Sequence, residues 1–308
     1  MKTVYFVNNF SGVHVPGLKD SVYTLREKLN SNGIVIEEKN FTANNIVSNN
    51  SAIDIFTADN FVSNNSEADI FTADKYKTMK NYSAIFDICT RSKAYACEIF
   101  AQGNTPVMIA GDHSIGMASV AATAANYNNL GLVWVDAHSD INTDTTSITG
   151  NIHGMPIASL LGLGSQELTQ LSGEKACLKP ENILYLGLRD LDPAETEFIN
   201  NLPIKAYYYD EIAVRGLNEV LAEIKTTWHT ENIHLSFDFD SMDPQVMPGV
   251  SVPVPGGFTE NDAFTILDFF KNNFKCRSYD FVEYNRTKDV ADQSLNTCLK
   301  LIKSILDD

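Results

Sequence analysis

Positive charge is scarce in this chain: 23 Lys and Arg stand against 39 Asp and Glu, a formal net charge of -16 at pH 7 over 308 residues. A surface of that sign repels phosphate backbones and anionic membranes, which excludes nucleic acid and membrane as partners and favours a cationic small molecule. Cysteine is sparse too. Cys89, Cys97, Cys177, Cys276 and Cys298 lie far apart with no CxxC pair, leaving neither a disulfide framework nor a thiolate zinc site, as expected of reduced thiols in a cytoplasmic protein. No apolar run is long enough to span a membrane, and the apolar part of MKTVYFVNNF is too short for a signal peptide. Nor does any Pro/Ser-rich linker divide the chain, so residues 1–308 read as one domain built on one large core.

What the sequence does contain is alternation. From residue 80 onward, short apolar runs rich in β-branched residues (PVMIAG, LGLVWVDA, NILYLGL, NIHLSFDFD, RSYDFVEYN) are separated by amphipathic segments such as IGMASVAATAANY, PAETEFINNL, YDEIAVRGLNEVLAEIKTTW and TENDAFTILDFFKNNF. This is the pattern of an α/β fold whose mainly parallel sheet is covered on both faces. TVYFVNNF and GIVIEE are expected to add strands. Residues 45–74 hold a tandem repeat of period 15, NIVSNNSAIDIFTAD followed by NFVSNNSEADIFTAD. Two copies are too few for a solenoid, and the Asn/Ser content favours turns, so the segment reads as a duplicated surface insertion.

In open parallel sheets, ligands gather beyond the carboxyl ends of the strands, and the polar residues of this chain fall there. VWVDAHSDIN sets Asp136, His138 and Asp140 at every second position; HLSFDFDSMDP carries Asp238 and Asp240; AGDHSIG carries His113; FVEYN carries Glu283. On a straight strand, residues i and i+4 lie about 13 Å apart, so Asp136 and Asp140 can converge only if the chain turns at the strand end. Two imidazoles and four carboxylates are too many for one ion. They suit a pair of hard or borderline divalent metals about 3.5 to 4 Å apart, and metals would relieve the cost of packing unpaired acids at the end of an apolar sheet. The N/O set alone would accept Fe²⁺, Co²⁺ or Ni²⁺ as readily as Mn²⁺.

AGDHSIG, DAHSDIN, TGNIHGMP, GLRDLDP, SFDFDSMDP and VEYN together resemble the ureohydrolases, most closely the arginases, over about residues 105 to 305. The resemblance implies a three-layer α/β/α sandwich with a doubly wound sheet, two Mn²⁺ ions, a homo-oligomer (trimer or hexamer), and hydrolysis of L-arginine to L-ornithine and urea. It assigns one ion to His113, Asp136, Asp140 and Asp238 and the other to His138, Asp136, Asp238 and Asp240, with Asp136 and Asp238 bridging. Two cations sharing a water lower its pKa and so provide a nucleophile for the unreactive guanidinium carbon. On the same resemblance Asp140 would pass a proton to the departing amine, His153 would shuttle protons, and Glu283 would pair with the guanidinium.

Arginine differs from agmatine by its carboxylate, and the resemblance places Asn142 and Thr149 against that group and Asp192 near the α-amino group. Two segments depart from the family pattern. Val252 in PGVSVPVPGG stands where a threonine is usual, and SGVHVPGLKDS, with His14, lacks the usual glycine-rich N-terminal loop. These departures keep agmatine, guanidino acids and formimidoylglutamate open as substrates. A catalytically silent metal-binding protein is the alternative of another class.

Overall fold

A computed structural model describes residues 1–10, 12, 15, 17–31, 55–57, 78–173 and 176–307. Its strands are β1 (Lys2–Asn8), β2 (Ile55–Thr57), β3 (Thr105–Ala110), β4 (Gly131–Val135), β5 (Ile183–Leu188), β6 (Lys205–Tyr208), β7 (Asn232–Asp238) and β8 (Lys275–Val282). The helices are α1 (Leu18–Ser31), α2 (Tyr82–Ala101), α3 (Gly116–Asn126), α4 (Pro156–Leu160), α5 (Gln166–Thr169), α6 (Pro193–Asn201), α7 (Tyr209–Arg215), α8 (Leu217–Thr227), α9 (Glu260–Asn273) and α10 (Gln293–Leu306). The strands form one sheet in the order β2-β1-β3-β8-β7-β4-β5-β6, and every neighbouring pair is parallel.

Successive strand residues enter opposite cores, as a pleat with period two requires. Val4, Phe6, Val107, Ile109, Val133, Val135, Leu235 and Phe237 join one buried cluster with residues of α1, α8, α9 and α10. Tyr5, Val7, Met108 and Ala110 face the other side with α2 and α3, where Leu132, Trp134 and Tyr185 extend the same layer. The arrangement is the expected three-layer α/β/α sandwich. No described helix is long and apolar enough to cross a membrane.

Two elements differ from the sequence expectation. Between α6 and α7 lies a short edge strand, β6, whose Lys205, Ala206 and Tyr208 are only half-buried, so its pattern is too weak to stand out. The amphipathic run from Tyr209 is two helices, because Gly216 adopts φ 90° and interrupts the helix. The expected strand GIVIEE, the loop around His14 and most of the repeat lie outside the described residues; β2, within the first copy of the repeat, pairs with β1 at the sheet edge.

The centre of the sheet is arranged to receive polar loops. In the order β3-β8-β7-β4, four parallel strands end side by side; the last residue of β7 is Asp238, and the segments leaving the other three carry His113, Glu283 and Asp136. Close approach is enforced at Gly111, where a Cβ would stand 1.6 Å from the Asn9 carbonyl oxygen. It is enforced again at Gly116, where a Cβ would stand 2.9 Å from the Trp134 ring. Any larger residue at these two positions would push the β1 end or α3 away from the site.

Candidate metal centre

β4 is five consecutive buried apolar residues, and the first residue beyond it, Asp136, is fully buried. Its Oδ1 accepts the His138 backbone N–H at 2.7 Å, and its Oδ2 accepts the Trp134 indole N–H at 2.9 Å. The chain then turns: Asp140 adopts φ 51°, a left-handed conformation that costs a non-glycine residue about 1 kcal/mol or more. That turn is what brings Asp140 back to the group its position on a straight strand would deny it. At the end of β7, Asp238 accepts the Asp240 N–H at 2.7 Å and so folds the following residues into a 3-10 turn. His113 opens a 3-10 turn after β3 that is capped by Asp112.

Around His113 Nδ1, carboxylate oxygens of Asp136, Asp238 and Asp140 lie at 3.1, 3.1 and 3.3 Å. His138 Nδ1 lies 3.2 Å from Asp240 and 3.5 Å from Asp136. Metal–ligand bonds of about 2.1 Å at right angles set neighbouring donors about 3 Å apart, so these separations are those of a coordination shell. The donors form two groups able to hold an ion, His113–Asp136–Asp140 and Asp136–His138–Asp240, which share Asp136.

The electrostatics match. Burial, then the charge of Asp136, hold the Asp140 carboxyl well above the usual carboxylate range; burial, then Asp240, do the same for Asp238. Burial alone would raise Asp136, but the hydrogen bonds and charges of His113 and His138 outweigh it and hold it low. Both imidazoles are raised, the neighbouring carboxylates overcoming the opposing effect of burial. So many buried acids together are costly without a counter-charge, and their oxygen and imidazole donors fit a divalent metal.

Glu283 faces this cluster from the end of β8. It too has a left-handed backbone, φ 68°. Its Oε1 accepts the His113 backbone N–H at 3.0 Å and lies 3.6 Å from His153 Nδ1, while its Oε2 is buried with no hydrogen-bond partner among the described residues. His153 sits in the 3-10 turn Ile152–Gly154. Asn142 donates to Asp192 at 3.0 Å, so two of the three residues expected at the amino-acid end of a substrate are joined. Thr149 is exposed, its hydroxyl accepting the Asn151 N–H at 3.2 Å, and no hydrogen bond among the described residues ties it to that pair.

The sequence model of the Arginase family matches residues 30–307. The chain belongs to the arginase family. The arginase of Bacillus caldovelox is 35% identical over 231 residues, 74% of this chain and 77% of that protein. The crystal structure of arginase from Bacillus cereus superposes with a TM-score of 0.84 at 29% identity, covering 100% of this chain and 98% of that one. That of Entamoeba histolytica arginase in complex with L-ornithine gives 0.81 at 26% identity, again covering 100% and 98%.

Several residues of this arginase-family site were not singled out by the sequence. Trp134 stacks on the His113 ring at 3.8 Å between centroids and 5° between planes; in the sequence it is simply part of an apolar run. Asp190 lies 3.7 Å from His138 Nε2, and this contact holds its carboxyl below the usual range. Arg189 donates to the backbone carbonyls of Gly187, Asp240, Ser241, Met242 and Val254, pinning the turn that presents Asp240. Its place in GLRDLDP was the only signal available. Val252 is half-buried in a segment held to the Glu283 side by the Val250–Tyr284 bridge and by Asn285 donating to Ser251 Oγ at 3.2 Å.

Replacing Arg189 by Ala removes the donor from this set of carbonyls. The expected cost is about 1 to 3 kcal/mol, read as a lower urea midpoint with an unchanged slope. Lys, which lacks the planar fork, is expected to recover only part of it. An Arg189→Ala midpoint equal to that of the wild type would show that the clamp does not matter to the turn.

Proposed function

We propose that this protein is a binuclear manganese hydrolase that cleaves the guanidinium of L-arginine to L-ornithine and urea. The observation that carries this reading is the buried Oε2 of Glu283, without a hydrogen-bond partner among the described residues, facing two donor groups that share Asp136. A carboxylate in that position is built to receive a planar cation. The L-ornithine bound to the Entamoeba histolytica relative is the product such a reaction would leave.

His113, Asp136, Asp140 and Asp238 would hold one Mn²⁺, and His138, Asp136, Asp238 and Asp240 the other. When bound, the pair lowers the pKa of a shared water to near neutrality. The protein does the rest. Glu283 orients the guanidinium by accepting its N–H groups, and the preorganised pairing removes much of the entropic cost of bringing the reactants together. Asp140 carries a proton to the departing amine nitrogen, and His153, 22% exposed, exchanges protons with solvent. The Asn142–Asp192 pair and Thr149 receive the α-amino and α-carboxylate groups. Losing such polar pairing penalises agmatine far more than losing a methylene would. The enzyme would act in the cytoplasm as a trimer or hexamer.

Val252 favours one competing reading. It supplies no hydroxyl beside the guanidinium site, which favours another ureohydrolase substrate: agmatine, a guanidino acid or formimidoylglutamate. The test loads metal-stripped protein with Mn²⁺ and follows urea release from L-arginine and agmatine and ammonia release from formimidoylglutamate. Urea from arginine alone, abolished by chelation, is the expected result. Turnover of another substrate alone would replace arginine in the proposal.

The titration behaviour yields a second test. In the metal-free native protein, Asp140, Asp238, His113 and His138 all hold protons more tightly than in the unfolded chain. Above about pH 4 the native state therefore binds more protons than the unfolded one, and stability falls as pH rises through these raised values. The lowered Asp136 acts in the opposite sense only below that range. Metal binding needs deprotonated ligands and so strengthens with pH. Thermal denaturation in chelator is expected to show a lower midpoint at pH 8 than at pH 5.5, with the gain on adding Mn²⁺ larger at pH 8. A gain independent of pH would contradict the ligand assignment.

A further inference from the structure

Behind His113, on the side away from the candidate ions, lies a line of buried polar groups that the proposed chemistry does not use. His113 Nε2 is 2.9 Å from Ser236 Oγ, and Ser236 Oγ donates to Asp280 Oδ2 at 3.4 Å. The same oxygen accepts from Ser119 Oγ at 2.6 Å and lies 2.8 Å from His234 Nε2, whose Nδ1 is 3.0 Å from Thr123 Oγ1. Ser236, His234 and Asp280 are fully buried. Asp280 Oδ1 has no hydrogen-bond partner among the described residues.

A buried carboxylate with an unpartnered oxygen destabilises a core relative to an apolar side chain of similar size, so its presence calls for a task. We propose that Asp280, acting through Ser236, is a positioning residue that fixes the ring orientation and tautomer of His113 for metal binding. The assignment rests on the reading of His113 as a ligand.

The geometry dictates the direction of each bond. For Nδ1 to offer a lone pair toward Asp136, Asp140 and Asp238, the ring proton must sit on Nε2. Ser236 Oγ can accept that proton's hydrogen bond while its own hydroxyl proton points to Asp280, so the chain runs imidazole to hydroxyl to carboxyl and ends on Asp280 Oδ2. Trp134, stacked on the ring, sets its plane but not its rotation within that plane. The Ser236 bond supplies the missing constraint.

Strand register builds the line. Ser236 and Asp280 are direct neighbours in the β7–β8 pair, and His234, Ser236 and Asp238 project to one side of β7 because they alternate with Leu235 and Phe237. The polar face of one strand thus carries both a ligand and the support for another. Ser119 and Thr123, one turn apart on α3, close the network from the helix layer.

Outer hydrogen-bond partners of metal-bound histidines typically contribute about 10- to 100-fold in metal affinity. The experiment measures Mn²⁺ stoichiometry and dissociation constants by chelator competition, with thermal midpoints alongside, for wild type, His113→Ala, Ser236→Ala, Asp280→Asn and Ser119→Ala. Ser236→Ala and Asp280→Asn are expected to weaken one of two ions by about 10- to 100-fold and leave the other unchanged. Ser119→Ala touches Asp280 but not His113, so it is expected to lower the thermal midpoint without that selective loss. If His113→Ala loses an ion while Ser236→Ala binds both as wild type does, the positioning role is wrong and the ligand reading survives. If wild type binds no Mn²⁺, or His113→Ala binds as wild type does, the ligand reading fails and this inference with it. Ser236→Ala removes a single oxygen, so it decides the matter even if Asp280→Asn fails to fold.

Discussion

Asp136→Ala is expected to take the protein from two bound ions to fewer than one and to lower kcat/KM for arginine by about 10⁴-fold or more, about 5.4 kcal/mol of barrier. It is the residue shared by the two donor groups found among the described residues. It holds its place because the end of β4 is fixed on every side. The Trp134 indole and the His138 N–H each donate to one of its oxygens, and its own N–H remains bonded to Leu186 of β5 at 3.1 Å. Removing the carboxylate leaves Asp140, Asp238 and Asp240 in the same buried space with Asp238 alone to bridge what they bind. Asp136→Asn tests the charge separately from the shape and is expected to lose metal as well, since the amide offers one weak oxygen in place of two charged ones. Elemental analysis with urea release on the same sample checks both; an Asp136→Ala protein with two ions and full turnover would end the binuclear proposal.

Glu283→Gln is expected to do the opposite: keep the metal and lose the substrate. Its Oε1 accepts the His113 N–H, a role the glutamine carbonyl can fill, so the turn carrying His113 should stand. The change falls on Oε2, which has no hydrogen-bond partner among the described residues. There an amide would present N–H groups to the N–H groups of a guanidinium. Breaking a buried charge pair from one side costs about 2 to 5 kcal/mol, which corresponds to about 30- to 5000-fold in kcat/KM at 1.36 kcal/mol per decade. Measuring kcat and KM separately, with metal content, distinguishes this from general damage. Loss of ions in step with activity would mean that Glu283 supports His113 rather than the substrate, and unchanged kcat/KM would remove Glu283 from the site.

These two variants act on residues that the sequence made visible for a physical reason. LGLVWVDA is continuous and apolar because both faces of β4 are covered, so the charged residue that ends it is conspicuous. HLSFDFD alternates because one face of β7 is a hydrocarbon core and the other is not. The alternation was legible for Asp238 and Asp240, and it extends back to Ser236 and His234, where it was not read as part of the site. Serine and histidine on a buried strand look like ordinary satisfied polar residues until their partners are known.

The partners could not be read from the chain. Asp280 lies 44 residues from Ser236, and only the parallel register of β7 and β8 sets them side by side. Arg189 reaches carbonyls up to 65 residues away. Thr149 shows the converse: it lies only seven residues after Asn142 in the sequence, yet no hydrogen bond among the described residues joins it to the Asn142–Asp192 pair.

The sequence by itself determined the layered α/β architecture, the strand ends at which acids and imidazoles collect, and the arginase-family motifs, because hydrophobic periodicity and short-range spacing are local properties of the chain. Tertiary structure alone decided which oxygen meets which nitrogen. The left-handed turns at Asp140 and Glu283, the Trp134 stack on His113 and the line from His113 to Asp280 depend on sheet order and register. Those are set by the packing of both helical layers at once, and no single segment carries that information.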